Sequence, residues 1–409
     1  FIYQGDENYD GLFIREDISE RVMHHARFIA DEIDRLKQDI TEREPVRHVD
    51  GHCKHPYPCE FKAYCEKQDG KYPVSWLPNA AVAIRKLHEN GIYDIRDIPL
   101  DVLTSETHIK VRRVTISGQV ETPLNIDFDS LLNRPKAIVA NTLECSGNSR
   151  SLLEKKASGN PWTIGGVGNA VWGGVWLKDL LKQAGVTPHA RHVAFEGFDK
   201  PLGKSQIKFI RSIPIEKAMS STLLAYEMNG EPLPLKHGFP LRGLALGWTG
   251  ANCVKWLNKI TLLNEPYSGF YMDKVYRIYQ TGQDPKEGMT VTDINVKSII
   301  TQPEPEAALP AGDITILGAA YAGERDVDKV EISIDDGESW QTAEFIGPHE
   351  PFAWRQWQFV WHVRQPGSYS ILTRATDSDG KEQPMNGSWN KHGYNNNGVR
   401  EHGVSVRVL

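Results

Sequence analysis

Cysteine is scarce in this chain: five in 409 residues, an odd count and too few for a disulfide scaffold. No apolar run approaches the ~20 residues of a membrane-spanning helix. No internal repeat or low-complexity tract interrupts the sequence. Excess positive charge is missing too. Lys and Arg number 47 against 53 Asp and Glu, a net charge of -6, so the bulk field that drives non-specific nucleic-acid binding is absent. The opening residues, Phe1 to Glu7, are polar and acidic, unlike a signal peptide; this leaves a periplasmic or a cytoplasmic location open. What remains is an ordinary globular balance, 40% hydrophobic and 24% charged, which excludes a disordered chain, a collagen and a coiled coil.

Three zones divide the chain. Residues 1–110 read as mostly helical. After Asp17-Ile18-Ser19-Glu20, apolar residues at Val22, Ala26, Ile29, Ile33, Leu36 and Ile40 form one helical stripe. A second helix is expected from Asn79 to Glu89, stopped near Gly91. Residues 111–295 mix strands (Val114 to Gly118, Ile138 to Ala140) with short helices such as Val175 to Leu181, closed by Gly185. That pattern predicts an α+β domain. Gln302-Pro303-Glu304-Pro305-Glu306, then Pro310, reads as a linker. Beyond it, Val330/Ile332/Ile334, Tyr369/Ile371/Thr373/Ala375 and Val404/Val406/Val408 alternate with polar residues around Asp-Gly turns. Period two over residues 300–409 predicts an antiparallel β-sandwich.

Chemistry concentrates in three stretches. In Leu143-Glu144-Cys145-Ser146-Gly147-Asn148-Ser149-Arg150 a cysteine leaves a buried strand into a turn of small residues. Arg150 would favour its thiolate, the form that ligates soft metals. No second Cys or His lies at zinc-ligand spacing. The second stretch sets His237, Arg242 and Lys255 among glycines. Cations on glycine-containing loops can hold a phosphate, although they also occur as plain surface charges. The third, Trp354-Arg355-Gln356-Trp357, suits a cation–π stack on a sandwich strand.

Together these stretches resemble the sulfite oxidase family of molybdenum-cofactor oxidoreductases over residues 111–409. The Cys145 loop is similar to that family's molybdenum-ligand loop. Val167-Gly168-Asn169-Ala170-Val171-Trp172-Gly173-Gly174-Val175 is similar to its cofactor-lining segment. Tyr226 to Pro234, His237, Arg242 and Val254-Lys255-Trp256-Leu257 match its pterin-phosphate stretch, and Arg374-Ala375-Thr376-Asp377 with Trp389 to Asn397 match the end of its dimerisation domain. The resemblance implies a molybdopterin-binding catalytic domain over 111–295 and an immunoglobulin-like dimerisation domain over 300–409. It implies molybdenum on Cys145, cofactor contacts from Asn169, His237, Arg242 and Lys255, and a catalytic set of Tyr276, Arg150 and Arg355, with Tyr271 and Tyr279 as rivals to Tyr276. The implied reaction is oxo transfer to sulfite or a related small sulfur oxyanion, with electrons passed to an external acceptor such as a cytochrome c. No haem segment is read in the chain. A homodimer is expected, with Trp354, Trp357, Trp361 and Trp389 as surface aromatics of the sandwich. A sulfane dehydrogenase-like subunit is the neighbouring reading.

The first 110 residues depart from that family. Its Arg-x-His motif is reduced to Val46-Arg47-His48 at a different spacing. Cys53, Cys59 and Cys65, six apart in a Pro-containing loop, resemble the iron–sulfur tail of RecB-type nucleases. An iron–sulfur cluster, a zinc site and plain reduced thiols are the alternatives there. A catalytically silent scaffold or an iron–sulfur nucleic-acid-binding module built on this segment is the reading from another class.

Overall fold

The structure, a computed structural model, describes residues 73–76, 81–98, 113–199 and 207–409. The stripe expected over 22–40, Arg47-His48, and Cys53, Cys59 and Cys65 lie outside the described residues. The chain divides into two units, Phe1–Asp97 and Ile98–Leu409. In the first, α1 (Ala81–Glu89) forms where a helix was expected. It buries Ile84 and Leu87, one turn apart, and Gly91 follows at φ 73°.

The second unit opens with one mixed sheet. Its strands are β1 (Arg113–Gly118) and β2 (Leu124–Asp127), then, after helix α2 (Phe128–Leu132) and strands β3 (Ala137–Glu144) and β4 (Val167–Trp176) of another sheet, helix α3 (Leu177–Ala184), β5 (His192–Gly197) and β6 (Ile210–Pro214). Helix α4 (Ile215–Ser220) leads to β7 (Thr222–Met228), β8 (Glu231–Pro232), β9 (Arg242–Ala245) and β10 (Leu257–Leu263). The first sheet runs β2-β1-β10-β5-β6; the second runs β3-β4-β7-β8, with β9 on β7. Helix α3 starts two residues later than the sequence pattern suggested. Val175 and Trp176 stay in β4, paired with Leu224 and Leu223 of β7, because β-branched and aromatic side chains suit a strand flanked by such neighbours. The helix then buries Leu177, Leu180, Leu181 and Ala184 on one face, as a 3.6-residue period requires.

A short ladder, β11 (Arg277–Ile278) with β12 (Met289–Thr290), precedes the sandwich. The sandwich comprises β13 (Lys297–Gln302), β14 (Ala308–Leu309), β15 (Gly312–Tyr321), β16 (Val327–Ser333), β17 (Gln341–Thr342), β18 (Glu344–Ile346), β19 (Arg355–Val363), β20 (Gly367–Asp377) and β21 (Val404–Val408). Its sheets run β13-β15-β19-β18 and β14-β21-β20-β16-β17. Inward positions of both sheets, among them Ile316, Val330, Ile332, Ile371 and Val406, form one apolar core, as alternation predicts. Two expectations need correction. The Pro-rich stretch after Gln302 joins strands of the same sandwich instead of linking domains, since β13 already pairs with β15 and β14 with β21. Trp357 and Trp361 are core residues at 0% and 3% exposure; both lie on the inward face of β19, where period two places them.

Candidate active site

Cys145 is the first residue after β3, and register puts the start of β4 beside it. Leu143 pairs with Gly168 and Thr142 with Asn169, while the Cys145 amide donates to the Gly166 carbonyl at 2.8 Å. Asn148 closes the turn: its amide donates to the Cys145 carbonyl, its Oδ1 accepts from the Gly166 amide at 2.8 Å, and its Nδ2 donates to Glu144 Oε1 at 2.9 Å. From the far end of the chain, the Asn395 amide donates to the Ser146 carbonyl, and Asn396 Nδ2 donates to the Ser149 carbonyl at 2.9 Å. A loop braced on every side holds its one exposed thiol in a fixed direction, which is what a metal ligand needs.

That thiol opens into a cavity of about 880 Å³ lined by Cys145, Asn169, His237, Arg242, Lys255 and Tyr276. Six residues singled out in sequence are therefore brought together. Arg242 and Lys255 make one cationic end, with His237 beside them. Arg242 Nη1 donates to the His237 carbonyl at 3.2 Å and Lys255 Nζ to the Lys236 carbonyl at 3.0 Å. Burial pushes the Arg242 guanidinium below its usual range. Burial, then the charges of Arg242 and Lys255, does the same to His237. Lys255 is lowered by burial and by Arg242. The Arg242 Nε is buried with no hydrogen-bond partner, a cost that a bound anion would offset. Gly168 also lines the cavity, and a Cβ there would meet nothing within 4 Å.

Tyr276 follows the turn Tyr271–Val275 and precedes β11. Burial holds its hydroxyl above the usual tyrosine range, and it lines the same cavity as Cys145. Of its rivals, Tyr271 also lines the cavity, whereas Tyr279 hydrogen-bonds His392 Nε2 at 3.1 Å. Arg150 stands behind the wall instead of on it. Its Nη1 donates to the Ser158 carbonyl at 3.0 Å and its guanidinium lies 5.2 Å over the Tyr394 ring. It fits only because Gly147 and Gly159 lack side chains: a Cβ would meet Nη2 at 1.8 Å or Nη1 at 1.7 Å.

Arg355 is not brought to the cavity. It lies on β19 with its guanidinium 3.6 Å over Phe345, and Nη1 donates to the Val327 carbonyl. Pairing of β18 with β19 supplies that ring, so the cation–π reading holds, with Phe345 in place of Trp354 or Trp357. Sequence reasoning missed Arg211 and Tyr394, which flank Tyr276. An arginine between Ile210 and Ile213 in a buried strand was the available signal for Arg211.

No group of three or more His, Cys, Asp or Glu able to hold a metal occurs among the described residues. Cys145 could thus be one protein ligand to a metal carried by a cofactor, not a member of a protein cage. No described helix is long and apolar enough to cross a membrane.

Comparison with known proteins accords with this arrangement. Residues 102–271 match the oxidoreductase molybdopterin binding domain, and residues 289–407 the Mo-co oxidoreductase dimerisation domain. Sulfite oxidase of Gallus gallus is 32% identical over 77% of this chain and 72% of its own. The mitochondrial sulfite oxidase of Mus musculus is 35% identical over 70% of this chain, and the match spans 55% of that protein. Among solved structures, the sulfane dehydrogenase SoxCD of Paracoccus pantotrophus matches with a TM-score of 0.61 and 28% identity, over 73% of this chain and 77% of that one.

Proposed function

This chain belongs to the sulfite oxidase family of molybdopterin-binding oxidoreductases, and on that footing we propose that it oxidises sulfite to sulfate and delivers the electrons to a separate acceptor such as a cytochrome c. The observation that carries the proposal is one cavity lined by the exposed Cys145 thiol, by Tyr276, and by a cationic end of Arg242 and Lys255 with His237 beside it.

The residues present fit a molybdenum–pterin group. Of the two free thiols among the described residues that line the cavity, Cys145 is exposed and Cys253 buried, the Nε of Arg242 is buried without a partner, and Gly168 leaves room along the wall. Cys145 would hold the metal. Arg242, His237 and Lys255 would bind the pterin phosphate through charge-assisted hydrogen bonds, with Asn169 along its length. When bound, the cofactor supplies oxygen-atom transfer and accepts two electrons. The net reaction is SO₃²⁻ + H₂O → SO₄²⁻ + 2 H⁺ + 2 e⁻. The protein's share is to hold the oxyanion. The Tyr276 hydroxyl, kept protonated by its buried setting, donates a hydrogen bond to a sulfite oxygen. Arg150, behind the wall, adds positive potential that a dianion feels more strongly than a neutral molecule. The matched dimerisation domain supports a homodimer.

The test is molybdenum content on the purified chain, with sulfite turnover followed through reduction of cytochrome c. About one molybdenum per chain with sulfite-dependent reduction is expected, and Cys145→Ser should remove turnover while the fold persists. Turnover of a protein-bound sulfane in place of sulfite, at full molybdenum, would favour the SoxCD-like reading. Absence of molybdenum from chain produced in a cofactor-competent host would overturn both.

A further inference from the structure

Arg211 is among the most deeply buried residues of the described chain, at 0% exposure. Its Nη2 and Nε donate to Asn252 Oδ1 at 2.8 and 3.3 Å, Nη1 to the Tyr271 carbonyl at 2.5 Å, and Nη2 to the Val291 carbonyl at 3.2 Å. All three acceptors are neutral. Among the described residues no carboxylate pairs with Arg211, nor with Arg150. A full positive charge in such a place is costly unless something negative compensates it.

The guanidinium lies 5.1 Å from the Tyr276 ring centroid. Tyr276 in turn stacks on Tyr394, with centroids 5.7 Å apart and planes 24° from parallel. Tyr394 carries Arg150 at 5.2 Å. Two uncompensated arginines and two tyrosines thus run together beside Cys145. Asn390 locks the Tyr394 loop, its Nδ2 donating to the Tyr394 carbonyl and its Oδ1 accepting from the Tyr394 amide.

We propose that Arg211 is a positioning residue for the substrate anion: through its contact with Tyr276, in a run completed by Tyr394 and Arg150, its unpaired charge makes the site select doubly charged oxyanions over singly charged ones. The inference rests on the oxyanion reading of the cavity, but not on turnover. Arg211 is absent from the cavity wall, so it acts by orienting the Tyr276 ring and by its field. A dianion gains twice what a monoanion gains from one fixed charge, and the low-dielectric surroundings preserve that difference.

The test uses the oxidised holoenzyme, with molybdenum measured on every sample. Sulfate and nitrate binding are titrated calorimetrically, and KM and kcat for sulfite are recorded. Arg211→Met should weaken sulfate binding and raise the sulfite KM by about tenfold, weaken nitrate by only about threefold, and change kcat less than KM. Arg211→Lys should restore most of the sulfate preference. Equal weakening of sulfate and nitrate, or no change in either at full molybdenum, would overturn the proposal. If the Met variant does not fold, Tyr394→Leu carries the test: reduced sulfate-over-nitrate selectivity supports the run, and unchanged selectivity overturns it. A wild-type holoenzyme that prefers sulfate yet does not oxidise sulfite would sink the assigned reaction and leave the charge-selection proposal standing.

Discussion

Glu144 Oε1 accepts a hydrogen bond from Lys297 Nζ at 2.6 Å, across 153 positions of sequence. Both side chains are nearly sealed from solvent, at 5% and 2% exposure. The same oxygen accepts from Tyr321 Oη and Asn148 Nδ2, each at 2.9 Å. Glu144 immediately precedes Cys145, while Lys297 and Tyr321 belong to the paired sandwich strands β13 and β15. The loop that presents the thiol is therefore held by a buried charge pair rooted in the sandwich.

Removing one member leaves the other charged and dry. Lys297→Met should destabilise the protein by about 3–5 kcal/mol, and the double variant Lys297→Met/Glu144→Gln should lose less than the two single losses combined. Urea unfolding of the four proteins checks this. Additive losses would mean the pair is not coupled.

Arg242 separates cofactor binding from stability. Its guanidinium is buried, has no carboxylate partner among the described residues and has an orphaned Nε, so Arg242→Met relieves a desolvation cost in the cofactor-free chain. Thermal midpoints of that form should hold or rise. Molybdenum retained after gel filtration should fall about tenfold or more, since a charge-assisted contact to phosphate is lost. A stable variant that keeps full molybdenum would remove Arg242 from cofactor binding.

His402 ties acid sensitivity to the same loop. Its Nε2 meets Ser149 Oγ at 2.8 Å and its Nδ1 the Gly398 carbonyl at 2.6 Å. Burial, and then the charge of Lys297, lowers its pKa to about 3 from the ordinary 6.5. Unfolded chains bind this proton first, so the neutral ring contributes stability above pH 6.5, and that contribution drains away as pH falls from 6.5 towards 3. The slope approaches ~1.4 kcal/mol per pH unit. His402→Gln should flatten unfolding free energy against pH in that window. An unchanged slope would show that other groups govern it.

Arg355→Gln should leave the sulfite KM unchanged, because Arg355 rests on Phe345 in the sandwich and does not line the cavity. A stability loss of about 0.5–1 kcal/mol is expected from the lost cation–π contact. A KM rise at full molybdenum loading would return Arg355 to the substrate site.

The sequence by itself determined what depends on near neighbours along the chain. Alternation at Val404, Val406 and Val408 specified a sandwich strand, because period two sends side chains to opposite faces. The turn around Cys145, and the grouping of His237, Arg242 and Lys255 near glycines, put forward a candidate metal-ligand thiol and a candidate anion-binding loop, and the fold brings them to one cavity. Arg355 could not be placed that way, since the ring it rests on, Phe345, comes from the neighbouring strand β18. Likewise, nothing near Arg211 says whether a carboxylate will meet it, and nothing near Glu144 announces Lys297. Whether a buried charge is paired or left alone is set by segments far apart in sequence that meet only when the sheets pack. Tertiary structure decided that Glu144 has its cation and that Arg211 and Arg150 stand uncompensated around Tyr276.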